Sequence, residues 1–151
     1  MTRANFVSGV RGTNTPFFVA RKSGDQTGIS DQTETKITGW SEITDPQSTF
    51  DTSNARFTPA VAGNYRIGLT AWIATESNTR QALRIKKNGS TVEQIQVSTG
   101  GDVNIPVHIS AIITCDTDDY IEPYVYLDGS QTRTVYSSGV EMQFSGFKII
   151  E

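Results

Sequence analysis

Apolar and polar residues alternate along much of the chain, which is the spacing expected of β-strands that have one buried and one exposed face. The segments ALRIKK and TVEQIQV flank Asn88 and Gly89, a pair that readily adopts the positive φ angles of a two-residue hairpin turn. We therefore expect these two segments to pair. In the run NYRIGLTAWIA, the alternation predicts one buried face made of Tyr65, Ile67, Leu69, Ala71 and Ile73.

Five more runs are rich in β-branched or aromatic residues and are separated by clusters of Gly, Asp, Ser and Thr. They are PFFVAR, TKITGWSEI, PVHISAIITC, YIEPYVYLD and EMQFSGFKII. No window shows the 3.6-residue period of an amphipathic helix. Short strands at this spacing bury their apolar faces only in two layers or in a closed barrel. The pattern predicts an all-β sandwich or barrel of about eight to ten strands.

The length and composition fit a single domain without a disulfide bond or a histidine–cysteine zinc site. The chain has 151 residues, of which 36% are hydrophobic, and no apolar run approaches the roughly 20 residues of a membrane span. We therefore expect no membrane insertion. The N-terminus lacks an apolar stretch of signal-peptide length, which favours synthesis for the cytoplasm. A single cysteine and a single histidine exclude an intrachain disulfide and the usual zinc cages.

Charge is distributed unevenly along the chain. The first 24 residues contain four basic residues and no acidic one, whereas the remainder contains nine basic and sixteen acidic residues. This asymmetry predicts a basic N-terminal arm, residues 1–15, that precedes a domain over residues 16–151. We expect the arm to dock on an acidic surface through Arg3 and Arg11. The alternative is a solvated terminus.

None of the candidate chemical groups forms a catalytic pattern. His108 lies opposite the apolar face of its strand, there is no Gly-x-Ser-x-Gly elbow, and Cys115 continues the apolar face as a small buried residue would. We expect a non-enzymatic protein without a cofactor. The acidic cluster Asp116, Asp118 and Asp119 favours a solvated turn, with a calcium site as the alternative. The basic run RIKK is short and the net charge is −3, so nucleic acid is not an expected partner.

A longer-range spacing resembles a known family. The residues that carry it are Asp45, Phe50, Phe57, Gly63, Tyr65, Ile67 and Leu69. This spacing is similar to that of the globular head of complement component 1q, a branch of the tumour-necrosis-factor-like jelly rolls. The segments KKNGSTV, DDYIEPYVYLDG and FSGFKII are also similar to the family's hairpin and its last two strands. The resemblance covers roughly residues 16–150. Two features depart from it. Gly39 stands where the family has an aromatic residue, with Trp40 one place late, and Ile67 and Leu69 replace aromatic residues in the core strand.

The resemblance implies a jelly-roll sandwich that assembles as a homotrimer. Alternation in DDYIEPYVYLD directs Tyr120, Tyr124 and Tyr126 outward, and exposed tyrosines are favoured at interfaces. In the closing strand, Phe144 shares a face with Met142 and lies opposite Phe147. By resemblance to the trimeric family, we expect Phe144 to meet its symmetry mates at the axis. The predicted trimer interface is therefore Tyr120, Tyr124, Tyr126, Met142 and Phe144.

The chain has a basic arm but neither a collagen repeat nor heptads, and this combination resembles a bacteriophage structural protein more than an immune molecule. The leading hypothesis is a trimeric capsid decoration (cement) protein on the virion, assembled in the host cytoplasm. Its partner would be the major capsid protein or another virion protein. The alternatives are a tail-fibre or receptor-binding head that recognises a cell-surface glycan, and a secreted complement-type binding module.

Overall fold

The computed structural model describes residues 14–74, 79–98, 100–101, 104–129, 132–137 and 142–149. All regular elements in these ranges are β-strands. They are β1 (Phe17–Lys22), β2 (Gln26–Ile29), β3 (Glu34–Lys36), β4 (Trp40–Thr44), β5 (Phe50–Asp51), β6 (Arg56–Phe57), β7 (Gly63–Ala74), β8 (Arg80–Lys87), β9 (Ser90–Ser98), β10 (Asn104–Cys115), β11 (Ile121–Asp128), β12 (Arg133–Tyr136) and β13 (Gln143–Lys148). The strands outnumber the predicted eight to ten because several are two to four residues long.

The strands form two antiparallel sheets. In the first, which we call the β7 sheet, the order is β2-β12-β7-β13-β1-β4, and β10 pairs with the other side of β7. In the second, the β11 sheet, the order is β5-β6-β11-β8-β9, and β3 also pairs with β11. The described residues contain no helix long and apolar enough to cross a membrane. The predicted all-β jelly-roll sandwich is confirmed.

The core lies between the two sheets, where inward residues of β7, β8 and β11 belong to one buried hydrophobic cluster. The five residues predicted to share the buried face of β7 are all 0% exposed. An aromatic cluster continues this core: the ring of Phe18 stacks on Phe50 and Phe57, and the edge of Phe144 meets Phe18 at 5.0 Å between ring centroids. The apolar side of the predicted alternation is therefore the interior of the sandwich.

The turn that precedes β7 is held by the residues whose spacing resembled the family pattern. Phe57 is fully buried, and its ring meets Tyr65 edge-on at 5.6 Å. The Tyr65 hydroxyl donates a 2.7 Å hydrogen bond to the carbonyl of Val61, so the strand's first core residue also closes the turn. Burial raises the pKa of Tyr65 to about 12, which keeps this hydroxyl a donor. The motif is architectural.

Two local predictions had different outcomes. The hairpin is confirmed, since β8 and β9 pair across Asn88 and Gly89, with φ angles of 50° and 79°. The single strand expected in TKITGWSEI is wrong. Gly39 has a φ of 72°, and the chain passes there from β3 in one sheet to β4 in the other. The later position of Trp40 follows from this bend, which brings its indole into the core.

Candidate interaction surfaces

The five residues predicted to form the trimer interface do not share one surface. Tyr124 and Tyr126 point outward from β11, as expected, and Tyr120 precedes that strand on the same side. Phe144 and Met142 are instead 0% exposed and lie inside the sandwich. Phe144 aligns with Ala20 on β1 and with Leu69 on β7, and both of those side chains also point inward. Phe144 therefore cannot stand at an external axis in this structure. The aromatic residue of β13 that faces outward is Phe147.

The outer face of the β7 sheet, here called the β7 face, leaves apolar side chains uncovered. Ile112 on β10 and Phe147 on β13 both align with Arg66 on β7, so they lie in one row across the sheet. Ile112 is 68% exposed and Phe147 is 39% exposed. The same row reaches Phe17 on β1, beside an open depression of about 380 Å³. Arg66 lies between Ile112 and Phe147, but the other members are apolar, so we call this row the apolar row and regard it as a candidate contact surface.

The neighbouring rows of the β7 face are small or polar. Ser110 and Ser145 flank Gly68, so the row next to Ile112 and Phe147 has little side-chain bulk. In the row beyond it, the Thr70 hydroxyl lies 2.9 Å from Nδ1 of His108, which is exposed. His108 is thus the surface histidine that the alternation predicted. The small row lets another surface approach the backbone of β7.

The outer face of the β11 sheet is different, because its aromatic rings are covered by cations. Arg56 lies 3.9 Å above the ring of Tyr120, Lys86 lies 4.6 Å from that of Tyr124, and Arg84 lies 5.0 Å from that of Tyr126. Cations over aromatic rings are electrostatically favourable. We call this surface the tyrosine–cation face and define it by the three tyrosines, the cations Lys36, Arg56, Arg84 and Lys86, and the carboxylates Glu34 and Glu122.

Each carboxylate of the tyrosine–cation face binds two cations. Glu122 accepts from Lys36 at 2.7 Å and from Arg56 at 2.8 Å, and its side chain is only 4% exposed. Burial acts to raise the pKa of Glu122, but the hydrogen bonds from these two cations outweigh it and hold the pKa below its usual value. Glu34 pairs in the same way with Arg84 and Lys86. The hydrogen bond from Lys86 is the largest of the effects that lower the pKa of Glu34, and burial acts against it.

The acidic turn is occupied by contacts within the chain. Asp119 pairs with Lys87 at 2.6 Å, accepts a 2.6 Å hydrogen bond from the Asn88 amide, and accepts another at 2.7 Å from the backbone N–H of Asp116. The hydrogen bond from Lys87 leads the lowering of the Asp119 pKa to about 2. Over the described ranges, no three acidic, histidine or cysteine side chains converge as metal ligands. The turn fastens the β8–β9 hairpin, which argues against the calcium alternative for Asp116, Asp118 and Asp119.

Cys115 and the arm complete the set of predicted residues. Cys115 is 1% exposed, as expected of a small core residue, and burial raises the pKa of its thiol to about 11. Such a thiol is a poor nucleophile at neutral pH.

Arg3 and Arg11 lie outside the described residues, and so does most of the predicted arm. Docking through the arm therefore stays a prediction.

Neither the charged network of the tyrosine–cation face nor the apolar row of the β7 face was predicted from the sequence. Ile112 was visible as an apolar residue on the polar side of its strand, next to Ile113, and Phe147 was already placed opposite Phe144. The partners of Glu122 come from β3 and β6, far away in the sequence. Only the sheet order brings them together.

Comparison with known proteins identifies the architecture. No family model matches the sequence, and no curated protein is significantly similar to it. The globular domain of the zebrafish complement 1qA protein superposes with a TM-score of 0.65 at 20% identity, covering 90% of this chain and 98% of that one. The chain has the complement 1q and tumour-necrosis-factor jelly-roll fold.

Two further structures agree with this assignment. Eiger TNF from S. frugiperda gives a TM-score of 0.67 at 12% identity, over 89% of this chain and 92% of that one. Murine APRIL at pH 5.0 gives 0.66 at 10% identity, over 88% and 98%. At these identities the likeness shows the fold alone. The predicted resemblance is confirmed at that level, and none of these neighbours indicates a bacteriophage protein.

Proposed function

We propose that this protein is a non-enzymatic binding module that works as a homotrimer, with the β7 face as the interface between subunits. The observation that carries the proposal is the apolar row of the β7 face. Ile112 is the most exposed large apolar side chain that the structure describes, and Phe147 lies two strands away in the same row. Burying both in an interface removes apolar surface from water, which favours association.

The two outer faces of the sandwich support this choice. On the tyrosine–cation face, the rings and the carboxylates already have partners in the same subunit. On the β7 face, the Ser110, Gly68 and Ser145 row leaves room for close approach beside exposed apolar groups. The fold also favours a trimer, since the family that the sequence resembles is trimeric. A closed cyclic assembly buries the same patch in every subunit.

The finer proposal is that the trimer decorates a bacteriophage capsid, and it is supported by the sequence alone. A basic arm followed by an acidic domain suits attachment to an acidic shell. Changing Arg3 and Arg11 to Glu should abolish attachment to purified particles while the subunits remain trimeric. If cryo-electron microscopy shows that the variant occupies the particle as fully as the wild type does, the proposal of capsid decoration through the arm loses its support.

Charge substitutions on the β7 face test the trimer. We expect Ile112→Asp and Phe147→Asp each to produce monomers in sedimentation velocity. Every interface would then have to bury a new carboxylate, and pairing with the neighbouring Arg66 does not repay the cost of removing both charges from water. The matched control is Val92→Asp in β9, which changes an exposed apolar residue, 43% accessible, outside that face. Stable trimers of both β7-face variants would show that the interface lies elsewhere.

A further inference from the structure

We infer that the tyrosine–cation face binds an acidic protein surface. The inference deepens the proposed binding function by naming a partner class, and it concerns the sheet opposite the proposed trimer interface. The four cations and two carboxylates that define this face have a net charge of +2. Asp51, which aligns with Arg56, and the Arg80–Asp128 ion pair bring the whole outer side of the β11 sheet to +1, in a chain whose net charge is −3. The partner that complements such a face is negatively charged.

The cations of this face are held in place before any partner arrives. Glu122 is 4% exposed and fixes Lys36 and Arg56 from beneath, while Glu34 fixes Arg84 and Lys86. The tyrosine rings support three of these cations. Side chains that are already ordered lose little rotamer entropy when they bind, so the energetic cost of recognition is reduced.

The composition and shape of the face favour a protein over a sugar. Tyrosine and arginine are enriched where protein interfaces bind most strongly. A neutral sugar would need the open face of an aromatic ring, but each tyrosine here carries a cation. β8 and β11 are each eight residues long and β3 and β6 are shorter. At about 4.8 Å between strands and about 3.4 Å per residue, these four strands present a surface of roughly 350 Å². An interface of that size is at the low end for protein partners, so binding should be weak and salt-dependent.

The test uses the full chain and labelled poly-L-glutamate as the acidic polypeptide, with fluorescence anisotropy at low and high salt. Arg84→Gln combined with Lys86→Gln is the informative variant, because the partner left behind, Glu34, is 37% exposed and can be hydrated. Changing Lys36 or Arg56 would instead remove one of the two cations that neutralise the buried Glu122 carboxylate. The matched controls are Arg84→Lys with Lys86→Arg, which retains the charge, and Lys148→Gln on the β7 sheet.

We expect the wild-type chain to bind poly-L-glutamate at low salt and the Arg84→Gln/Lys86→Gln variant to bind roughly tenfold more weakly, since two partly screened ion pairs are lost. Both controls should bind within about threefold of wild type. The inference is overturned by absent wild-type binding at low salt, by equal binding of the double variant, or by an equal loss in Lys148→Gln. Stronger binding to heparin than to poly-L-glutamate would also overturn it, by assigning the face to a sulfated polysaccharide. A monomeric chain that still binds through this face would refute the trimer alone.

Discussion

Phe144→Ala separates the core role of this residue from the interface role that the sequence suggested. Phe144 is fully buried, and its ring meets Phe18 at 5.0 Å and Phe50 at 5.8 Å, both edge-on. Burial of the side chain contributes about 1.5–3 kcal/mol, and each aromatic pair adds about 0.5–1.5 kcal/mol. We therefore expect the truncation to lower the free energy of unfolding by about 3–5 kcal/mol, a large share of the 5–15 kcal/mol typical of a domain.

Urea titration followed by tryptophan fluorescence provides the assay, since the Trp40 ring is 6.0 Å from Phe144 in the same core. With a denaturant slope of about 2 kcal/mol/M, the midpoint should fall by about 2 M. The matched control is Phe147→Ala on the same strand, where the ring faces outward. Its cost should disappear at protein concentrations low enough to dissociate the subunits, whereas the cost of Phe144→Ala should persist. A loss below about 1 kcal/mol for Phe144→Ala would refute the core assignment.

Three further predictions concern the acidic turn, the closing strand and the cysteine. The Asp119 pKa of about 2 is below its unfolded value of about 3.9, so ionised Asp119 stabilises the fold above about pH 4 and this stabilisation is lost as the pH falls toward 2. Asp119→Asn should therefore reduce the dependence of the unfolding free energy on pH between about 4 and 2, and an unchanged dependence would contradict this. Gly146→Ala would place Cβ 2.6 Å from Ile67 Cδ1 and 2.9 Å from Phe18 Cε1, so it should cost about 1–3 kcal/mol in urea unfolding, unlike Ser145→Ala; equal midpoints would disprove the overpacking. Cys115 should react with Ellman's reagent only after unfolding, and rapid labelling of the native chain would mean that its burial is wrong.

The strand pattern was predictable from the sequence because alternation reports burial directly. Tyr65 to Ile73 read as a strand with one apolar face, and all of that face is buried in the sandwich. Local turn chemistry was equally readable at Asn88 and Gly89. The break of the strand at Gly39 was not predictable from the sequence. A bend with positive φ is needed there because β3 and β4 belong to different sheets, and the sequence does not show which strands pair.

The surfaces were harder to predict because alternation does not say which side faces the core when both sides of a strand carry apolar residues. Phe144 and Phe147 were correctly assigned to opposite sides of the closing strand, but the resemblance to a trimeric family favoured the wrong one for the outside. Pairing with Leu69 and Ala20 decides the matter. The ion pairs of Glu122 join residues 66 and 86 positions apart, and no sequence period encodes such contacts.

The mass of the native particle in solution tests the central claim most directly. Sedimentation equilibrium of the wild-type chain should give three times the 16.5 kDa subunit mass. The Ile112→Asp variant, with its carboxylate on the exposed row of the β7 face, should give the mass of one subunit and retain the wild-type far-ultraviolet spectrum. A wild-type chain that sediments as a monomer at every concentration would contradict the proposal that the β7 face joins three subunits.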